Sequence, residues 1–528
     1  NGRVIHLGYS GAFGNLIILE HPGNYHTYYA HLSNYNVELA VGNEVRRGLE
    51  IGYVGSTGRS TGPHLHFEIR DSLDRAMDPL LAGYSEILDR TPPTPQKIAI
   101  VPLELDSRVN GKFQRVEVTP VLSGANYRIP ETIQVSGKVG LEIQGYDKLD
   151  GAENQNGFPR FEVSDDSGLL FKLLVDKVDF NFTRHFLLHT HLNRFTKLYH
   201  QKDLKFSFIT PHSTGTGALE LEPGKKKNIQ VKLIDAYNNT RIVQLNLAGA
   251  DLDSTRSDGA APPKAQVSYY KNIMKIKVAQ SSKGGLAKFE VGNTSYEILP
   301  AYQDAASRTY LWDLRFGIPK KIDLCSEIYT PDIIGHFPVD REHVHANAKL
   351  QIRTDSNSLL EDLYLRVSHS GSANAPVLNL GETTTYLWNP IEATWDVSGF
   401  AGNKAKTQVY QRAGNGALSY LGGEWIGNQI RFKTRNFGSF VLAEDATKPS
   451  ISPIRVNAQG MRFTIKDNLS GIKNFEAYVN GEWVWMRYEH KQAVIWSEPM
   501  NGQSLKGPAI LRVTDQAGNV AEWRGTLN

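Results

Sequence analysis

Alternation dominates this chain. Stretches such as "KNIQVKLIDAYNNTRIVQLNL" place Ile, Val or Leu at every second position, and turn residues return every eight to twelve positions along most of the 528 residues. Side chains two apart on an extended strand share a face. The pattern therefore predicts half-buried strands joined by tight turns, as in β-sandwiches, and the expected fold class is all-β. At roughly 100 to 200 residues per domain the length predicts about three to five domains. With 40% hydrophobic and 21% charged residues there is ample material for their cores.

Three breaks are legible. "DRTPPTPQK" (Asp89 to Lys97) is a proline-rich linker, "DSTRSDGAAPPK" (Asp253 to Lys264) a polar one, and "EDATKPSISP" (Glu444 to Pro453) a third. They divide the chain into expected domains at 1–88, 98–250 (an immunoglobulin-like sandwich), 265–330 (a small β-domain), 331–443 (a sandwich) and 449–528 (immunoglobulin-like), with 89–97 as a linker. Two of these domains end on strand, Asp-x-x-x-Asn turn, strand: Asp235 to Asn239 and Asp515 to Asn519, with Asp396 to Phe400 a looser copy. An aspartate that accepts from turn amides, followed by Gly or Asn, suits a hairpin. These turns read as structural, with calcium the lesser alternative because too few carboxylates lie together along the sequence.

The first domain differs in chemistry. "STGPHLHFEIR" places His64 and His66 one residue apart after a Gly-Pro turn, on a strand where both imidazoles face one way and Leu65 and Phe67 face a core. Upstream, "YHTYYAHL" alternates Tyr29 and His31, so a third imidazole can meet the other two across a groove. A bare His-x-His is weak evidence for a metal site, a surface pair being the ordinary reading.

The surrounding order narrows the choice. "AFGNLIILEHPGNYHTYYAHLS" followed by "IGYVGSTGRSTGPHLHFEIR" resembles the lysostaphin/LytM-type zinc metallopeptidases, which cut peptide bonds in bacterial peptidoglycan; the resemblance covers residues 1 to 80. It implies the C-terminal part of a LytM-like antiparallel β domain, Zn2+ as cofactor and peptidoglycan as substrate. Carried over, His66 would ligate zinc, and His64 and His31 would be the two non-ligand catalytic histidines. His64 is then the general-base candidate, and His31 steadies the attacking water or the oxyanion. Tyr29 would line the groove or pack in the core.

The sequence departs from the family in one respect. A His-x-x-x-Asp segment should supply two further zinc ligands, yet His6, His21 and His26 lack an aspartate four residues on, and no aspartate precedes Asp71. A catalytic zinc needs three protein ligands. "NGRVIHLGYSGAFGN" resembles the strand that follows that segment, and residue 1 is Asn. The expectation is thus a chain that starts mid-domain, inactive as it stands, from a protein that is a zinc endopeptidase when intact. The alternative is a catalytically inactive LytM-like module that binds wall or activates another murein hydrolase; a purely adhesive β-protein has no use for the histidine spacing. A wall substrate implies export to the periplasm or cell surface.

The β-domains resemble the immunoglobulin-like modules that follow the peptidase in large bacterial envelope proteins, through "VDKVDFNFTRHFLLHTHLNRF" and "RNFGSFVLAEDATKPSISPI", which implies contacts to wall or envelope proteins. A net charge of +3 from 58 basic and 55 acidic residues gives no basic surface for nucleic acid. Cys325 stands alone, which excludes an internal disulfide, and no apolar run is long enough for a membrane-spanning helix. His185, His189 and His191, like His343 and His345, repeat His-x-His without the glycine-rich context and read as packing or surface residues. Trp483 and Trp485 alternate with Val484 and Met486, so one of the two faces is core.

Overall fold

The computed structural model describes residues 1–84, 86–192, 194–200, 216–252, 260–281, 284–497 and 504–528. Of the second linker, residues 253–259 lie outside the described residues. The chain is all-β, with a few short helical turns. It divides into two compact units, Asn1–Pro331 and Asp332–Asn528.

In the first unit, β1 (Gly2–Ser10), β2 (Gly14–His21) and β3 (Tyr25–Leu32) form an antiparallel meander; β4 (Asn34–Tyr35) and β6 (Gly52–Tyr53) pair apart from it, and β5 (Glu44–Val45) extends it at β1. β7 (His66–Arg70) pairs with β3 and β8 (Ala76–Met77) with β7. Val4, Ile17, Leu19, Leu32 and Val45 fill the core of this sheet. Its last strand comes from far downstream: Lys177–Val178 pairs antiparallel with β8, Lys177 opposite Met77.

The following residues, Thr94 to Gly249, build two facing sheets around one core in which Ile98, Ile133, Leu141, Val163, Val231 and Leu245 are buried. One of its pairings, Asn126–Ser136 with Thr240–Gly249, is parallel. Two four-stranded sheets follow between Gln266 and Tyr329. In the second unit, Ile333 to Glu444 forms a six- and a five-stranded sheet around Phe337, Trp395, Phe432 and Phe440. Ser450 to Leu527 forms two four-stranded sheets around Phe463, Ile495 and Leu511. Val484 and Met486 face that last core, whereas Trp483 and Trp485 are both exposed.

Candidate active site

The three histidines converge where β3 ends and β7 begins. Ala30 lies opposite His66 in the β3–β7 ladder, and the His31 ring centroid is 4.9 Å from that of His64 and 5.4 Å from that of His66. Strict alternation would send His31 to the face of Tyr29. A positive φ of 58° at His31 and a register irregularity between Asn15 and Ile17 on the neighbouring β2 break that alternation. Tyr29 therefore stays on the other face, half-buried opposite Phe67 with ring centroids 5.3 Å apart, and does not join the histidines. Leu65, expected in the core, is exposed.

Backbone carbonyls fix two of the rings. His31 is buried, and its Nδ1 lies 2.8 Å from the carbonyl of Thr57; His64 is exposed, with Nδ1 2.8 Å from the carbonyl of Gly62. A carbonyl only accepts, so both rings carry their proton on Nδ1 when neutral and their Nε2 is a lone pair. The loop that supplies Thr57 is tied down on both sides. Thr57 Oγ1 accepts from the Asn15 amide at 2.9 Å and donates to the Leu32 carbonyl at 2.8 Å. Gly58 has φ +67°, and a Cβ there would come within 2.2 Å of the Gly14 nitrogen, so only glycine lets the loop lie this close.

His66 is held the other way round. Its Nε2 lies 2.6 Å from Oε1 of Glu68, two residues along the same face of β7. The carboxylate accepts, which leaves Nδ1 as the lone pair, the carboxylate–histidine arrangement that prepares an imidazole for a metal. Glu68 Oε2 in turn accepts from Arg70 Nε at 2.7 Å. Burial pushes the Glu68 carboxyl upward, but the hydrogen bonds from His66 and Arg70 outweigh it and hold the group below the usual carboxylate range. The Arg70 guanidinium sits over three rings: Tyr28 at 3.9 Å, Phe180 at 4.4 Å and Phe13 at 5.9 Å. Phe13 also meets His66 edge-on at 5.6 Å.

Glu68 and Arg70 escaped the sequence reading, although their period-two spacing after His66 was a usable signal. Phe180, brought in by the strand Lys177–Val178, had no such signal. A cavity of about 500 Å³ lined by Asp78, Leu80, Phe158, Phe161, His189 and Arg194 has none of the three histidines in its wall.

His66 fits one coordination position of a zinc ion. Among the described residues, however, no group of three potential ligands includes His31, His64 or His66, and zinc needs three. These residues alone do not complete a zinc centre.

Residues 1–79 match Peptidase family M23, and residues 335–445 match a Zu5-like domain. The chain is 50% identical over 70 residues to "DD-carboxypeptidase/endopeptidase Mpg" of Neisseria meningitidis, covering 13% of this chain and 16% of that protein. It is 38% identical over 171 residues to "Lysostaphin" of Staphylococcus simulans, covering 28% of this chain and 34% of that protein. It is 44% identical over 69 residues to "Peptidoglycan DD-endopeptidase ShyB" of Vibrio cholerae, covering 13% and 16%. Among solved structures, the catalytic domain of lysostaphin from Staphylococcus simulans is similar at 39% identity with a TM-score of 0.14, covering 15% of this chain and 62% of that one. The match spans only about a sixth of the Neisseria and Vibrio relatives. The histidine-bearing sheet at the head of this chain is a peptidase M23 domain, whose relatives are LytM-type peptidoglycan endopeptidases.

Proposed function

We propose that residues 1–79 act in the hydrolysis of peptide bonds, cross-links or stem peptides, in bacterial peptidoglycan. The single observation that carries this reading is the convergence of three imidazoles with assigned lone pairs, Nε2 on His31 and His64 and Nδ1 on His66. His64, exposed at the rim, accepts a proton from the attacking water at Nε2 and returns it to the leaving amine. His31, at the buried base, orients that water when neutral and donates to the oxyanion when protonated. Zinc dependence belongs to the proposal, with His66 as one ligand and the others outside the described residues; bound zinc would supply Lewis-acid activation of water. Export to the periplasm or cell surface follows from the substrate. The β-domains then serve as the arm that places the hydrolase against wall or envelope proteins, a role argued from architecture alone.

A second reading has its own support, because the described residues do not complete a three-ligand metal site: the domain then binds wall, or activates another hydrolase, without cutting. Incubating the protein with purified sacculi, with and without zinc chloride, separates the two. Soluble muropeptides that disappear with His64→Ala support hydrolysis. Co-sedimentation without release supports the binding reading, and neither signal overturns both.

A further inference from the structure

The Asp-x-x-x-Asn turns at the ends of two domains are not isolated loops. At the first, Asp89, Asp147 and Asp235 each bring one carboxylate oxygen to within 4.8 Å of the other two, and all three residues are buried. At the second, Asp445, Asp467 and Asp515 are grouped within the same distance, Asp445 and Asp515 buried and Asp467 half-buried. The two clusters are built from the same three sequence pieces: Asp-x-Thr (Asp89 to Thr91, Asp445 to Thr447), Asp-x-Leu-x-Gly (Asp147 to Gly151, Asp467 to Gly471) and the Asp-x-x-x-Asn turn.

Their hydrogen bonds match as well. Asp235 accepts from the Asn239 amide and side chain, and that side chain also donates to the Asp89 carbonyl at 3.0 Å. Asp515 accepts from Asn519 in the same two ways, and Asn519 donates to the Asp445 carbonyl at 2.8 Å. In both, the first aspartate accepts from the threonine amide two residues on.

These bonds leave oxygens over. Asp89 is 7% exposed and Asp147 3%, and Oδ2 of the first and Oδ1 of the second are buried without any hydrogen-bond partner; so is Oδ1 of Asp467. Among the described residues, none of the six aspartates has an ion pair with Lys, Arg or His; Lys406 donates to the Ala517 carbonyl, two residues past Asp515. Three buried carboxylates facing one another without a counter-charge are costly.

We propose that each cluster is a calcium site, so that the chain carries two bound Ca2+ ions, one at Asp89/Asp147/Asp235 and one at Asp445/Asp467/Asp515. The ligand set is all hard oxygen, which suits calcium or magnesium over transition metals. Two oxygens on one calcium at about 2.3–2.6 Å can stand up to about 5 Å apart, whereas about 2.1 Å to magnesium allows only about 4.2 Å. The oxygens of each cluster lie within 4.8 Å of one another, inside the span that one calcium allows. Carbonyls and waters complete the shell, and only three carboxylates place the affinity in the range of about 10⁻⁵ to 10⁻³ M. Asp89 and Asp445 both lie where one module hands over to the next, so the ion fastens a joint. Arg90, next to Asp89, has a side chain 85% exposed and is a trypsin site that reports on that joint.

Isothermal titration of the full chain, freed of metal with EDTA, with calcium chloride should give two ions per chain and a rising Tm. Asp147→Asn should leave one ion, Asp467→Asn the other, and the double variant none, while all three melt in EDTA at or above the unsubstituted protein because a repulsive charge is gone. Calcium should slow tryptic cleavage after Arg90 at least fivefold, and not in Asp147→Asn. Absence of heat and Tm shift at 10 mM calcium, a stoichiometry unchanged by both variants, or an equal response to magnesium chloride would each overturn the proposal.

Discussion

His64 and His66 are pinned through opposite ring nitrogens: His64 through Nδ1 by the Gly62 carbonyl, His66 through Nε2 by the Glu68 carboxylate. Two residues apart on one strand, they therefore offer different lone pairs to the same space. The tautomers should be visible in long-range ¹H–¹⁵N spectra at pH 8, with Nδ1–H for His64 and Nε2–H for His66. Glu68→Ala should release His66 into a mixture of tautomers while His64 is unchanged.

The same substitution has an energetic reading. Arg70 is 7% exposed, and losing Glu68 leaves its guanidinium with Asp74 as the remaining acid. Breaking a buried charge pair by removing one partner typically costs about 3–5 kcal/mol; with Asp74 retained, we expect about 2 kcal/mol. Urea unfolding with an unchanged m-value checks it.

Gly58→Ala should act on the site from a distance. The new Cβ would meet the Gly14 backbone, so the loop must move, and Thr57 carries the carbonyl that orients His31. The expected loss is about 3 kcal/mol, from a strained left-handed residue plus overpacking. In a protein that releases muropeptides, activity should fall more than the folded fraction does.

His189 gives a pH dependence. It is buried, and burial, with help from the charges of Lys197 and His200, lowers its pKa from 6.5 to about 3. The unfolded chain binds a proton below about pH 6.5 that the folded chain refuses until about pH 3. This contribution to stability is therefore complete above pH 6.5 and is lost as pH falls through that window, at up to about 1.4 kcal/mol per pH unit. His189→Leu should flatten the Tm-versus-pH curve between pH 4 and 6.

Removing Phe180 should loosen the seam between the peptidase sheet and the sandwich. Its ring covers Arg70, and the backbone just before it pairs with β8. Phe180→Ala should cost about 1 kcal/mol and speed hydrogen exchange at Met77, Asp78 and Val178 while β1 and β2 stay protected.

Much of this was legible in the sequence for a local reason. Period-two alternation and turn residues are nearest-neighbour signals, and they located the strands and put His64 and His66 on one face. What alternation alone misplaced was His31 relative to Tyr29, because its left-handed backbone carries the imidazole off the face of Tyr29. The aspartate clusters were missed on different grounds: each joins three distant segments, and a single Asp-x-x-x-Asn turn does not reveal which carboxylates will face it. Phe180 and the strand before it belong to the same class of non-local contact.

The strand Lys177–Val178 closes the edge of a sheet whose other strands all lie before residue 78. During synthesis, then, the peptidase sheet leaves the ribosome unfinished and waits about 100 residues for its last strand, roughly 5–20 s at ordinary elongation rates. Until then β8 presents open N–H and C=O groups, a template for pairing with a neighbouring chain. A gene fragment cut within the linker at residues 89–97 makes that interval permanent, so it should be more prone to aggregate than one extended past the sandwich.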